Sequence, residues 1–452
     1  MTPFRISGVI EGFYGTPWNP EQRLRLIELL GKWGLNTFMV GPKDDPWHRM
    51  NWKAPFGADL MAHVDDLVEH GRRNNVAIAV AMSPGLTIRY SNPEDIQALV
   101  AKAHDLMAHG VSHIALLVDD IPDTLQHPQD QSQFESIAQA HVHLVNEFAK
   151  SLLGKVEVTV CPLVYHGLGT EQYVHDLGQG ISPDINFMWT GRQICSRYLH
   201  SSDAKVLKKI SNHRPLFWDN YPVNDVAMTY ELHIGPIQGR DADLGDFAEG
   251  LLSNPMSAFE SSLIPLRTIA LYLNDPGTYD PDTAWAQAVT ESFSDLESRR
   301  AFSEFGRTVL DSCLTGDAAP DVQRTLNSAA FAWRSGDVSK AINDLSELAQ
   351  SIKMNSELLL SESFELRQLQ SEISPWVTKY QLGGNVINTM AQSLTHYSSS
   401  DSQLLGQIVS VLRDSYNELH NNRYRVFGDG LEMLLTELIA EFTWSFDHAH
   451  SK

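Results

Sequence analysis

Residues 113–120 read His-Ile-Ala-Leu-Leu-Val-Asp-Asp, an apolar run that ends in two adjacent carboxylates, Asp119 and Asp120. Crowded carboxylates do not ionise independently. One tends to retain its proton, so the pair can offer an acid and a base at once. The apolar run has the character of a strand buried on both faces. Neighbours on a strand point to opposite sides, which would aim one acid into a cavity and the other toward its rim. Taken alone, the pair is explained more simply as a loop start or a helix cap, and the rest of the chain must decide.

Other chemistries find little support. The chain has 18 histidines, but His141 and His143 stand two apart on a helical stretch and do not share a face. There is no HExxH, CxxC or EF-hand spacing, no GxSxG elbow and no phosphate-binding loop, so neither a metal nor a cofactor is expected. Tyr14, His48 and His166 each read best as structural groups. What remains is carboxylate chemistry. Ordinary glycosidases place two carboxylates across the scissile bond, usually from different strands. Adjacent acids suit a different task, in which the substrate supplies its own nucleophile, one acid orients it and the other works on the leaving oxygen.

The elements that must position these acids follow from periodicity. Apolar runs at 5–10, 35–40, 76–82, 113–118, 156–161, 185–189, 215–218 and 258–262 alternate with amphipathic stretches such as 20–33, 59–73, 93–109 and 131–153. Asn19 before Pro20 and Asn92 before Pro93 are helix starts, a capping side chain followed by proline at the first helical position. Strand and helix repeated eight times predict a (β/α)8 barrel, an α/β fold whose site lies at the C-terminal strand ends. A doubly wound open sheet is second, weakened by the lack of a Gly-rich fingerprint after the first strand. The strand ends carry Glu11, Tyr14 and Trp18; Lys43, Asp44 and Asp45; Ser83; Asp119 and Asp120; Tyr165 and His166; Thr190; Asp219, Asn220, Asn224 and Asp225; and Glu260. Solvent-facing strand ends account for the polar residues, less well for the aromatic ones. Aromatic faces beside hydrogen-bonding side chains suit a sugar.

Asn274-Asp-Pro-Gly-Thr-Tyr-Asp-Pro281 reads as a linker. The expected domains are a barrel over 1–276 and an all-α helical bundle over 277–452, with five or six helices from 281 onward. Ile342, Leu345, Leu348 and Ile352 form one helical stripe, and Leu431, Leu434, Leu438 and Phe442 another. Asp337 reads as an N-cap, and Gly383-Gly384 as a break in a long helix. The 452 residues carry a net charge of −22, which argues against nucleic acid or an anionic membrane as partner. Cys161, Cys195 and Cys313 show no paired spacing, as suits a reducing compartment or simply inert thiols. Met-Thr-Pro-Phe-Arg-Ile at the N-terminus lacks the pattern of a signal peptide, and no apolar run approaches a membrane span. A cytoplasmic protein is the expectation.

Gly8-Val-Ile-Glu-Gly-Phe-Tyr-Gly-Thr-Pro-Trp18 resembles the opening of glycoside hydrolase family 84, the β-N-acetylglucosaminidases that include protein O-GlcNAcases. The likeness continues through Gly41-Pro-Lys-Asp-Asp45 with His48-Arg-Met50, Ser83-Pro-Gly-Leu86 with Ser91-Asn-Pro93, and Leu116-Leu-Val-Asp-Asp-Ile121. It goes on through Cys161-Pro162 to Tyr165, Trp189-Thr-Gly191, Trp218-Asp-Asn220 and Asn224-Asp225. Gly235-Pro236, Gly239-Arg240 and Leu252-Ser-Asn-Pro255 complete it. Each motif is weak to moderate alone; their order along the barrel is specific.

The resemblance implies a retaining, substrate-assisted exo-glycosidase that removes O-linked GlcNAc from protein Ser or Thr, or from small glycosides, through an oxazoline intermediate. It assigns Asp119 to the substrate's 2-acetamido N–H. Asp120 becomes the general acid and base, holding its proton at rest. Tyr165 would hydrogen-bond the acetamido group, and Asn220 would orient it together with Asp119. Gly8, Lys43, Asp225 and Asn254 would bind the sugar hydroxyls, and Trp218 would line the N-acetyl pocket. Thr16 stands where many members have Arg, and Leu163-Val164 are less polar than the family pattern, which leaves aglycone preference open. Hyaluronidase-type or cell-wall-recycling activity is the alternative, and a non-catalytic GlcNAc-binding module is less favoured. A homodimer through the helical region is compatible with the enzyme reading.

Overall fold

The computed structural model describes residues 4–449. Residues 1–3, part of the N-terminal stretch read for a leader, and residues 450–452 lie outside them. The first part of the chain runs β1 (Ile6–Glu11), α1 (Pro20–Lys32), β2 (Thr37–Val40), α2 (Ala58–Asn74), β3 (Ala77–Met82), α3 (Pro93–Ala108), β4 (His113–Leu117) and α4 (Pro128–Gln133). It continues with α5 (Ile137–Ala149), β5 (Glu157–Cys161), α6 (Gln172–Gly180), β6 (Asn186–Trp189), α7 (Ser201–Ser211), β7 (Pro215–Asp219), β8 (Gly250–Ser253) and α8 (Phe259–Asn274). Among the described residues, these eight strands pair in sequence order, all parallel, and β8 closes on β1.

The closure explains why the runs are apolar throughout. Alternate residues fill the lumen: Ile6 and Ile10, Met39, Ala79 and Ala81, Ala115 and Leu117, Cys161, Met188, Leu216 and Trp218, and Leu252, with Tyr165 packed against them. The intervening residues, such as Val9, Phe38, Val80, Leu116 and Val160, are buried as well. Both strand faces are therefore dry, as a parallel sheet wrapped by helices requires. Helix starts obey local rules. Asn19 accepts from the Gln22 amide while the Gln22 side chain returns the bond, and Asn92 accepts from Glu94.

Two expectations about these first elements need correction. The eighth strand is Gly250–Ser253, and residues 258–262 open α8 instead. Gly-Leu-Leu-Ser is too short to stand out by pattern. Phe259, Ser261 and Ser262 are all buried, and Ser262 Oγ donates 2.8 Å back to the Ala258 carbonyl, a helical i−4 bond. The helix expected at 131–153 is two, because Phe134 is extended and Ser136 caps a new start by accepting from Gln139.

The chain divides into two compact units, one running to Val226 and resuming over Pro236–Ala284, the other formed by Ala227–Gly235 and the residues from Trp285 onward. The helices from 281 are α9 (Pro281–Ser292), α10 (Leu296–Gly306), α11 (Pro320–Arg334), α12 (Val338–Leu360), α13 (Arg367–Leu394), α14 (Ser402–Asn421) and α15 (Gly430–Ala449). That is seven among the described residues, against five or six expected. Asp337 caps α12 by accepting from the Lys340 amide at 3.1 Å. Leu345 and Ile352 are buried, as are Leu431, Leu434, Leu438 and Phe442; Ile342 and Leu348 are half-buried. Gly383-Gly384 does not break α13. A Cβ at Gly383 would stand 2.1 Å from the Phe427 ring, and one at Gly384 2.5 Å from Ile352. The glycines thin the helix for close packing.

Candidate active site

The carboxylate pair follows β4 directly. Ala115 and Leu117 face the lumen, and Asp119 continues that alternation to the barrel mouth. Its side chain is 7% exposed. Oδ2 accepts a hydrogen bond from Lys43 Nζ, while Oδ1 is buried with no hydrogen-bond partner among the described residues. Asp120 then leaves strand geometry altogether. Its φ of 52° is in the left-handed region, which costs an L-residue roughly 1–2 kcal/mol, although aspartate tolerates it better than most. The turn brings both acids to the same ammonium, with Lys43 Nζ 3.7 Å from Asp120 Oδ2. Two phenols complete the setting: Tyr14 donates to Asp120 Oδ2 at 2.8 Å, and Tyr165 donates to Oδ1 at 2.9 Å.

These contacts weigh against the expectation that Asp120 holds its proton at rest. Burial pushes its pKa up, but Lys43, the two phenols and Arg49 outweigh burial and hold it below the ordinary carboxylate range. Lys43 shows the complementary effect. Burial favours the neutral amine, yet the charges of Asp119 and Asp120 win and raise its pKa. Burial raises Tyr165, reinforced by Asp120, and also raises Tyr14, so both phenols stay protonated donors. Burial holds the Cys161 thiol well above its usual value, which leaves it inert as a nucleophile.

The other expected residues are distributed unevenly. Gly8 is not at the mouth. It lies in the middle of β1, paired with Thr37 and Leu252 in the barrel wall. The glycine at the mouth is Gly12, where a Cβ would stand 2.3 Å from the Trp218 ring. Trp218 is 4% exposed, and Lys43 Nζ lies 5.4 Å from its ring centre. Asn220 Oδ1 accepts from Trp218 Nε1 and from Asn254 Nδ2, both at 2.9 Å. Asn220 Nδ2 donates to the Ile194 carbonyl at 2.9 Å, and Asn254 Oδ1 accepts from the Gly12 amide at 3.2 Å. Asp225 accepts from the Tyr14 amide at 2.7 Å, and burial raises its pKa. Asp119, Asp120, Lys43, Tyr165, Trp218, Asn220, Asp225 and Asn254 are thus linked in one set of contacts with Gly12, without Gly8.

Reading residues alone undervalued Tyr14 and left Arg49 without a role. Arg49 donates to the Tyr14 hydroxyl at 2.9 Å and to the Asp120 carbonyl at 3.1 Å. Both stand inside quoted motifs, but only the folded contacts give them work. Other strand-end acids are occupied. Glu11 accepts from Arg23 at 2.7 and 2.9 Å and from the Trp18 amide at 3.0 Å. Asp219 is held by Arg240, whose Nε donates at 2.8 Å. Glu260 is on α8 and pairs with Arg25. His48 is buried against the Ala81 carbonyl, and burial lowers its pKa to about 4. Among the described residues no group of three or more His, Cys, Asp or Glu side chains could hold a metal ion. None of the described helices is long and apolar enough to cross a membrane.

Comparison with known proteins agrees with this geometry. A family model described as beta-N-acetylglucosaminidase matches residues 7–307. The protein O-GlcNAcases of Rattus norvegicus and Mus musculus are each 33% identical over 273 residues, which is 59% of this chain and 30% of those proteins. The match therefore takes in under a third of the length of these curated relatives. A solved mutant of the Thermobaculum terrenum O-GlcNAc hydrolase superposes with a TM-score of 0.94 at 28% identity, covering 100% of this chain and 97% of that one. The structure named CpGH84B shares the fold, with a TM-score of 0.85 at 24% identity over 97% of this chain and 77% of its own. The closed barrel, the acids after β4 and the matched span together place the chain in the beta-N-acetylglucosaminidase family of glycoside hydrolases.

Proposed function

We propose that the protein is a retaining exo-β-N-acetylglucosaminidase that uses the substrate's own acetamido group as nucleophile. The observation that carries this reading is Asp119. One of its carboxylate oxygens is anchored by Lys43, and the other is buried without a partner. A desolvated acceptor is costly to leave unmade unless a ligand donor completes it. The 2-acetamido N–H of a bound GlcNAc is such a donor.

In this mechanism Asp119 Oδ1 accepts that N–H and turns the acetamido oxygen toward C1. The oxygen forms a bond to C1 as the C1–aglycone bond breaks, and Asp120 gives its proton to the leaving oxygen. An oxazoline results as Asp119 takes the N–H proton, which returns to nitrogen when the ring reopens. Water then attacks C1 and passes a proton to Asp120, and the ring opens with the original configuration restored. Positioning of the internal nucleophile supplies much of the rate. Asp120 must therefore carry a proton when sugar is bound. Sugar hydroxyls that draw Lys43 away from the acids, together with exclusion of water, raise its proton affinity. Trp218 walls the N-acetyl group, Asn220 and Tyr165 meet it, and Asp225 and Asn254 meet the ring hydroxyls. The Gly12 amide, rather than Gly8, belongs to this set.

The substrate proposed is GlcNAc on Ser or Thr of a protein, with small GlcNAc glycosides also accepted. Turnover of an aryl-GlcNAc, an aryl-GalNAc and an O-GlcNAc peptide, each with and without a thiazoline analogue of the oxazoline, tests it. GlcNAc substrates should be cleaved and the thiazoline should inhibit. Cleavage that the thiazoline leaves untouched would count against the oxazoline route.

A further inference from the structure

Arg49 lies in the connection between β2 and α2, and its guanidinium makes two contacts around the acid. One N–H donates to the Tyr14 hydroxyl at 2.9 Å, the other to the Asp120 carbonyl at 3.1 Å. The guanidinium carbon stands 5.6 Å from the Tyr14 ring centre. A tyrosine hydroxyl has one proton to give, and a guanidinium has no acceptor. Once Arg49 fills a Tyr14 lone pair, the single phenolic proton is directed to Asp120 Oδ2, 2.8 Å away. The second contact grips the backbone of the residue whose φ is 52°. A planar fork makes both bonds from two separated nitrogens held rigidly in one plane, where an ammonium offers a single atom.

We propose that Arg49 is a positioning residue for the acid, fixing both the left-handed turn of Asp120 and the direction of the Tyr14 proton. The inference rests on Asp120 acting as the general acid. Asp120 is faced by Tyr14 from beyond β1, Lys43 and Arg49 from beyond β2, and Cys161 and Tyr165 from β5 and its loop. Asp225 faces it from beyond β7, and Asp119 adjoins it. Lys43 supplies charge directly. Arg49 adds a weaker charge effect, but its hydrogen bonds go to a backbone carbonyl and a second side chain, so its loss should disturb proton transfer more than sugar binding.

The test compares wild type with Arg49→Met, Arg49→Lys, Tyr14→Phe and the Arg49→Met/Tyr14→Phe double variant. kcat/KM is measured against pH on an activated aryl β-N-acetylglucosaminide and on an alkyl one whose leaving oxygen needs the proton. Arg49→Met should lose about 100-fold on the alkyl substrate and about tenfold or less on the aryl one. The alkaline limb should move up by about one pH unit, because groups that favour ionised Asp120 are lost. Tyr14→Phe should cost little once Arg49 is gone, since the two act as a unit. Arg49→Lys should keep the limb near its wild-type position without restoring the alkyl rate. Equal losses on both substrates, an unmoved limb, or full additivity would overturn the proposal. Should Arg49→Met fail to fold, a crystal structure of Arg49→Lys decides. Asp120 unmoved, with full alkyl activity, would overturn it. Wild type inactive on both substrates sinks the functional reading and this inference together, whereas an active wild type matched by Arg49→Met sinks this inference alone.

Discussion

Acids stand at the ends of β1, β4 and β7, and they are treated in opposite ways. Glu11 and Asp219 each meet an arginine fork, and both oxygens of each are satisfied. Asp119 meets a lysine, a point donor that satisfies one oxygen and leaves the other buried and bare. All three side chains are at most 7% exposed, so burial does not separate them. Saturation does. A fully bonded carboxylate locks a loop in place, whereas a half-bonded one holds an acceptor ready for substrate. Arginine and lysine are thus not interchangeable behind these strand ends.

The largest expected break in this comparison is at Asp120. Asp120→Asn should lose about 10²–10⁴-fold on substrates with poor leaving groups and far less on activated aryl glycosides, because only the former need the proton. Asp119→Asn should slow both classes, since the internal nucleophile is no longer oriented. Steady-state rates on the two substrate classes separate the roles, and equal profiles for the two variants would sink the assignment.

The saturated pairs should answer in stability instead. Arg240→Met leaves Asp219 buried and unpaired, which costs about 3–5 kcal/mol and should appear as a large fall in Tm. Lys43→Met should lower Tm less than Arg240→Met and impair turnover more. The reverse order would show that Lys43 is structural in the same sense as Arg240.

A smaller effect concerns pH. kcat/KM reports the free enzyme and kcat the complex. Asp120 is held low when the site is empty, so the alkaline limb of kcat should lie above that of kcat/KM. Tyr165→Phe removes a donor to ionised Asp120 and should raise the kcat/KM limb. Coincident limbs in wild type would mean that sugar binding leaves the acid's proton affinity unchanged. The smallest effect is on acid stability. The folded pKa of Asp120 lies below its unfolded value, so its contribution is present above about pH 4 and lost as pH falls through the folded pKa. Thermal unfolding of wild type and Asp120→Asn should therefore converge toward strongly acidic pH.

Much of the barrel was legible because its causes are local. Seven of the eight strand positions are long or bulky apolar runs, and Asn19 and Asn92 announce their helices by cap chemistry. The eighth strand is not legible because four residues beginning with glycine carry no pattern, while the helix after them is buried on most sides. Gly383-Gly384 is illegible for the same kind of reason. Their meaning depends on Phe427 and Ile352, residues that are distant along the chain. At the site, motif order names eight residues that the fold links at the barrel mouth, whereas Gly8 lies within β1, in the barrel wall.

By itself the sequence determined the strand and helix alternation, the placing of two acids after the fourth strand, and the inventory of groups at the other strand ends. These follow from side-chain type and short-range spacing. The tertiary structure alone decided which acid oxygen is bare, that Asp120 turns left-handed, that Arg49 reaches it, and that its neighbours hold its pKa below the ordinary carboxylate range. Each of these depends on groups brought together from β1, β2, β4 and β5 at the barrel mouth. Electrostatic and hydrogen-bond balances there are sums over neighbours that are not adjacent in the chain.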